Sequence, residues 1–127
     1  MKLLLDTCEF LWLVAADPKL PDKVAKAVAD PRNEVYLSVV SFWEIAVKQA
    51  LGKLPLPQPA PLFVPAQRTS HRIEPLDLTE AAVTRLPALP PLHRDPFHRM
   101  LICQALAHNL TFASSDPLVR QYPIPFL

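Results

Sequence analysis

Short apolar runs alternate along the chain with longer stretches in which apolar residues recur every three or four positions. Residues 2–5, KLLL, form such a run, closed by Asp6, and suit a buried strand of a parallel sheet. Phe10, Leu11, Leu13 and Val14 then fall at helical spacing, so strand passes to helix near Asp6. A second helix is predicted over 21–29, with Pro21 in the first turn, where a missing N–H does no harm. EVYLSVV, residues 34–40, is rich in β-branched and aromatic residues and reads as strand. SFWEIAVKQAL, residues 41–51, returns to the helical period and stops at Gly52, the only glycine of the chain.

Residues 54–71, LPLPQPAPLFVPAQRTSH, carry five prolines and cannot be one continuous element. An extended linker followed by a short helix over 62–69 is the reading. A polyproline ligand for another protein is the alternative, but the interleaved Leu56, Leu62, Phe63 and Val64 favour a connector packed on the domain. HRIEPLDL (71–78) reads as strand, TEAAVTRLPAL (79–89) as a helix capped by Thr79, and HRDPFHRMLICQALAHN (93–109) as the best amphipathic helix. LTFASSD (110–116) follows as a fourth strand and YPIPFL (122–127) as a possible fifth. Strands alternating with helices predict βαβ units: one three-layer α/β/α domain over 1–127, with a mostly parallel sheet of four to five strands.

Composition narrows the functions. At 127 residues the chain can bury roughly two thirds of its unfolded surface in one core without metal or disulfide staples. A net charge of +1 gives no broad electrostatic footprint for nucleic acid or membrane, so any such partner must be met at a local site. Cys8 and Cys103 lack metal-ligand spacing and are expected to be buried free thiols. Asp6 and Glu9 interrupt what would otherwise resemble a signal peptide, and no apolar run reaches the ~18 residues of a membrane span. A cytoplasmic protein is the expectation. One glycine among sixteen prolines also argues against a phosphate-cradling loop.

Four acids occupy one kind of place: Asp6 after KLLL, Glu44 in the first turn after VYLSVVS, Asp95 at the start of its helix and Asp116 after LTFASS. Each also resembles a cap. Asp6-x-x-Glu9 and Ser41-x-x-Glu44 look like capping boxes, while Asp95-Pro96 and Asp116-Pro117 look like an N-cap followed by proline. In an open parallel sheet, however, ligands bind outside the carboxyl ends of the strands, where these acids can converge. Capping does not demand carboxylates at all four positions, and clustered carboxylates persist mainly when a cation neutralises them. Hard oxygen ligands point to Mg²⁺ or Mn²⁺ rather than zinc, and such an ion can promote phosphodiester hydrolysis.

The segments LLLDTCEFLWL, LSVVSFWEIAVKQALGKL and LPPLHRDPFHRMLICQALAHNLTFASSDPLVRQYPI together resemble a PIN domain of the VapC-type toxin ribonucleases. The resemblance covers nearly the whole chain. It implies that Asp6, Glu44, Asp95 and Asp116 form an acidic pocket that binds metal and catalyses RNA cleavage. It also implies inhibition by a small antitoxin protein, homodimerisation, and contact with DNA only indirectly, through the antitoxin. The sequence departs from the family at one point: this branch often reads DPFDR where the chain has DPFHR, so His98 replaces a carboxylate. Three residues from Asp95 on a first helical turn, His98 can face the same pocket, as a ligand, a phosphate contact or a cap.

Arg99 and Ser115 are further candidates for outer contacts or the substrate, and Arg94, Lys48, Lys53 and Arg120 could meet phosphates or be solvated surface charges. Phe10, Trp12 and Trp43 could stack on unpaired bases, although core or dimer packing suits their spacing better. Two other function classes are weighed. A receiver-type phosphoacceptor needs a lysine at a late strand end, and none follows residue 53. A catalytically silent PIN fold acting through partner binding would leave RNA uncleaved in Mg²⁺ or Mn²⁺.

Overall fold

Strand β1 (Lys2–Leu5) is one of the two inner strands of the sheet. It pairs in parallel with β2 (Glu34–Ser38) on one side and with β4 (Thr111–Ala113) on the other, and β3 (Glu74–Leu76) extends the sheet beyond β2. The order is therefore β3-β2-β1-β4, all parallel. Four strands form the sheet of this computed structural model, which describes residues 1–127.

Between β1 and β2 run α1 (Thr7–Ala15) and α2 (Asp22–Ala29). Helices α3 (Val39–Ala50) and α4 (Ala60–Ser70) connect β2 to β3, and α5 (Glu80–Val83) and α6 (Pro96–His108) lead from β3 to β4. The period-2 geometry of a strand divides β1 between two cores. Leu3 and Leu5 join Phe10, Val24, Ile45, Phe63 and Val64 on one face, whereas Leu4 joins Leu101, Ile102, Phe112 and Val119 on the other. Both clusters are buried, which makes three layers.

Several boundaries differ from the sequence reading for local reasons. Helix α3 begins at Val39 rather than at Ser41, because the Ser38 hydroxyl accepts the Val40 N–H (2.9 Å) as its cap. The same hydroxyl donates to Gln104 Oε1 across the buried interior. The β-branched pair Val39-Val40 thus belongs to a helix: capping and packing override a weak strand preference. The predicted helix over 79–89 is only α5 and a separate 3-10 turn, Leu86–Ala88. Pro87 lacks an N–H and restricts Leu86 before it. Gly52 does end α3 as expected, with φ of 71° and its N–H on Gln49 O (3.0 Å).

The possible fifth strand is not one. Residues 122–127 lie along the outer edge of β4 through a single parallel bridge, Phe112 to Phe126. Phe112 N–H donates to Pro125 O (2.9 Å) and Leu127 N–H to Phe112 O (3.0 Å), but Pro123 and Pro125 have no N–H with which to continue a ladder. Arg120 sits over the Phe126 ring, 4.8 Å from its centroid.

Replacing Ser38 by alanine removes a cap and a buried partner of Gln104, a loss expected to cost about 1–3 kcal/mol. Urea unfolding of Ser38→Ala should show a lowered midpoint with an unchanged slope.

Candidate active site

Strand order reverses at β1: the chain steps outward from β1 to β2 and β3, then returns to place β4 on the other side. The crevice beyond the carboxyl ends of β1 and β4 is thus the topological switch point, where open parallel sheets bind ligands. Asp6 follows β1 there, and Ser114, Ser115 and Asp116 follow β4. Helix α6 brings Asp95 to the same place from the opposite layer, where it caps that helix.

Each of these three acids divides its two oxygens between fold and site. Asp6 Oδ1 accepts the Thr7 N–H (2.7 Å) at the start of α1, while Oδ2 accepts the Ser114 hydroxyl (2.7 Å) and meets His98 Nε2 at 3.2 Å. Asp95 Oδ1 accepts the Phe97 and His98 N–H groups (2.8 and 3.2 Å), and its Oδ2 lies 3.6 Å from His98 Nδ1. Asp116 Oδ1 accepts from Leu118 and Val119 (2.8 and 3.1 Å), and Oδ2 lies 3.3 Å from His93 Nε2. Cap and ligand are therefore not alternatives here. One oxygen closes a turn and the other faces the crevice.

His98 stands among all three. Burial opposes its charge, but the hydrogen bond with Asp6 and the charges of Asp6, Asp95 and Asp116 prevail and raise its pKa to about 9. The site therefore carries an imidazolium at neutral pH. Asp116 is shifted the other way: burial works against its ionisation, yet hydrogen bonds from Val119, His93 and Leu118 and the His98 charge keep its pKa below the ordinary value. His93 Nδ1 accepts the Asp95 N–H (3.0 Å), which leaves the ring proton on Nε2 facing Asp116. Its lone pair being taken, His93 orients Asp116 rather than offering a nitrogen to an ion, although His93, His98 and Asp116 present atoms within 4.8 Å of one another. The cavity over these groups, about 170 Å³, is lined by Asp6, Cys8, Glu9, Trp12, His98, Ser115 and Asp116. A larger cavity of about 450 Å³ lies elsewhere and is lined mostly by apolar residues of α1 and the proline-rich segment.

The family model described as "PIN domain" matches residues 3–124, nearly the entire chain. This chain belongs to the PIN domain family. Ribonuclease VapC16 of Mycobacterium tuberculosis is 43% identical over 54 residues, which is 42% of this chain and 38% of that relative. The match thus spans well under half the length of the curated relative. Among solved structures, VapBC2 from Rickettsia felis bound to a promoter DNA fragment gives a TM-score of 0.72 at 15% identity, covering 100% of this chain and 97% of that one. VapBC-1 from nontypeable Haemophilus influenzae gives 0.68 at 17% identity, again covering 100% and 97%. At such identities these likenesses speak for the fold.

Within this PIN domain two of the four predicted acids, Asp95 and Glu44, stand beside the cavity rather than on its wall, Asp95 at the start of α6 and Glu44 on α3. Glu44 lies in the second turn of α3, because that helix starts at Val39. Its Oε1 accepts the Thr7 hydroxyl (2.7 Å) and Oε2 pairs with Lys48 at 2.6 Å. The hydrogen bond and charge of Glu44 raise the Lys48 pKa despite partial burial. Neither capping box forms. Ser41 is inside the helix, its hydroxyl in a hydrogen bond with the Thr7 hydroxyl (2.9 Å), and Glu9 turns to Ser115, whose N–H donates to Oε1 (2.9 Å).

Arg99 is engaged elsewhere: its guanidinium donates to the carbonyls of Pro90 (3.1 Å) and His93 (3.4 Å), holding the loop before α6. Arg120 donates to Ser114 O (3.0 Å), while Arg94 and Lys53 are exposed. Phe10 is core as expected, but Trp43 is 60% exposed and packs edge-on against Phe97, with centroids 4.9 Å apart. Cys103 is buried, whereas Cys8, expected to be buried, is exposed at the mouth of the cavity. Lost hydration, followed by the charges of Asp6, Glu9 and Glu44, pushes its thiol up to about 11.

Two participants escaped the sequence reading. Glu9 is 1% exposed, its Oε2 buried without a partner, and its pKa is raised by burial and then by the charge of Asp6. It was disguised as the last residue of a capping box. His93, five residues before His98, carried no signal beyond its place in LHRDPFH. The donor set suits a hard divalent cation: carboxylate oxygens of Asp6 and Asp95 border His98, Asp116 presents an atom within 4.8 Å of that ring, and a buried carboxylate oxygen lacks any donor.

A group whose pKa rises on folding adds stability below its unfolded value and loses that stability as the pH climbs through the folded value. For His98 in metal-free protein the contribution is full below about 6.5 and fades through about 9. Urea midpoints should therefore fall between pH 7 and 9.5 in wild type and stay flatter in His98→Gln.

Proposed function

We propose that this PIN domain is a divalent-metal-dependent endoribonuclease and the toxin of a toxin–antitoxin pair. The observation that carries the reading is the gathering of Asp6, Asp95 and Asp116, from three separate segments, around one half-buried imidazole. Asp6, Asp95 and Asp116 would hold Mg²⁺ or Mn²⁺ through the oxygens that face the crevice, with Glu44 completing the acidic surround. When bound, the ion supplies Lewis acidity toward water and the scissile phosphate.

The chain's own residues do the rest. The backbone caps at Thr7, Phe97 and Leu118 fix each carboxylate, so little reorganisation accompanies the reaction. His98, held as a cation by its acidic neighbours, and Lys48, beside Glu44, present positive charge to a phosphodiester oxygen. Ser114 orients Asp6 through its hydroxyl, and His93 orients Asp116. Trp43, exposed on α3, offers a stacking face for an unpaired base.

An antitoxin partner and a homodimer are part of the same proposal, supported by a relative named Ribonuclease VapC16 and by fold likeness to VapBC complexes. Action in the cytoplasm belongs to it too, and no helix is long and apolar enough to cross a membrane.

Purified protein should cleave single-stranded RNA in Mg²⁺ or Mn²⁺ and lose the activity in EDTA. Asp6→Asn and Asp116→Asn should lower the rate by more than the ~10–100-fold typical of losing a ligand's supporting partner. No cleavage in either metal, with cellular effects intact in Asp6→Asn, would replace this reading with a silent fold acting through partner binding. Light scattering on the free protein, and on protein co-expressed with any small reading frame found encoded beside it, tests the dimer and the antitoxin complex.

A further inference from the structure

Three carboxylates of this domain are fully buried: Asp6, Glu9 and Glu44. Asp6 has His98 at 3.2 Å and Glu44 has Lys48 at 2.6 Å. Glu9 has no cation within 4.0 Å, and its Oε2 has no hydrogen-bond partner of any kind. Asp6 lies three residues before it on the same side of α1, so the nearest charge is a like charge. A buried, unpartnered carboxylate oxygen is costly, and nothing about the fold requires a charge here. The contact made by Oε1, acceptance of the Ser115 N–H, is one that a neutral glutamine would make equally well.

The placement accounts for the charge. Ser115 lies between Ser114, which donates to Asp6, and Asp116, so the loop that anchors Glu9 is the loop that carries the acidic crevice. Glu9 lines the same cavity as Asp6, His98 and Asp116. With Oε1 tied to the backbone, it resembles Asp6, Asp95 and Asp116 in that one oxygen serves the fold and the other is left over beside the site. In those three the second oxygen meets an imidazole nitrogen within 3.6 Å. In Glu9 it has no hydrogen-bond donor.

We propose that Glu9 is a further carboxylate of the cation pocket, its Oε2 facing the ion directly or across one of the ion's retained waters. The inference rests on the reading of this crevice as a divalent-metal site. Glu9 then adds a negative charge on the β1–β4 side of a pocket to whose α6 side His98 adds a positive one.

The test is Mn²⁺ titration by calorimetry and by electron paramagnetic resonance on wild type, Glu9→Gln and Asp6→Asn. Glutamine keeps the acceptor for Ser115 and removes only the charge. Mn²⁺ affinity should fall ~10-fold or more in Glu9→Gln. A smaller loss overturns the inference and leaves Glu9 as an anchor of the 114–116 loop. Wild type that binds no Mn²⁺ overturns the metal-site reading itself, and this inference with it. A measurement on wild type alone guards against a variant that does not fold. The Glu9 carboxyl carbon resonance should move on Mg²⁺ addition with the same midpoint as that of Asp6, and a Glu9 signal that stays in place while Asp6 moves overturns the proposal.

Discussion

The two oxygens of a carboxylate point in different directions, and this domain uses that geometry to join its fold to its site. At Asp6, Asp95 and Asp116 one oxygen accepts backbone N–H groups that begin a helix or turn. The other is thereby aimed into the crevice at the carboxyl ends of β1 and β4. Helix starts have unsatisfied donors that need an acceptor in any case. Aspartate meets that need with a second oxygen to spare, whereas serine or threonine would meet it with their only side-chain oxygen and leave no carboxylate oxygen for the crevice. Position and direction of the reactive atoms are thus set by local backbone geometry.

The sheet makes the convergence possible. Parallel pairing sends all four strands to end on one side, and the reversal of order at β1 opens a gap between the loops that follow β1 and β4. Leu4 and Phe112 lock these strands to α6 on one face, while Leu3 and Leu5 lock β1 to α1 and α3 on the other. Helix α6 must be held at a defined height for Asp95 and His98 to reach Asp6. The contacts of Arg99 and Tyr122 with Pro90 and His93 fix the loop that feeds into it.

Much of this was legible in the sequence, for identifiable reasons. Short apolar or β-branched runs and helical stripes of period 3.6 marked four strands and the main helices, and Asp-Pro and Gly52 marked helix ends by chemistry that depends on neighbours in the chain. What stayed hidden depends on distant partners. Nothing local says that Glu9 reaches Ser115 rather than closing a box on Asp6, since both arrangements share one spacing. The helical state of Val39 and Val40 follows from the Ser38 cap and its buried link to Gln104, 66 residues away. His93 acquires its role only when β4 brings Asp116 beside it. The exposure of Trp43 and Cys8 likewise reflects which helix faces remain after packing.

The C-terminal tail has a bearing on assembly. By lying along β4 with two prolines and a single bridge, it occupies that edge without presenting a new row of donors. At the opposite edge β3 is three residues long and carries Pro75 and the exposed Glu74. Both borders of the sheet are blunt in the sense that discourages strand-by-strand addition. Neither border offers an incoming strand a long row of free backbone groups.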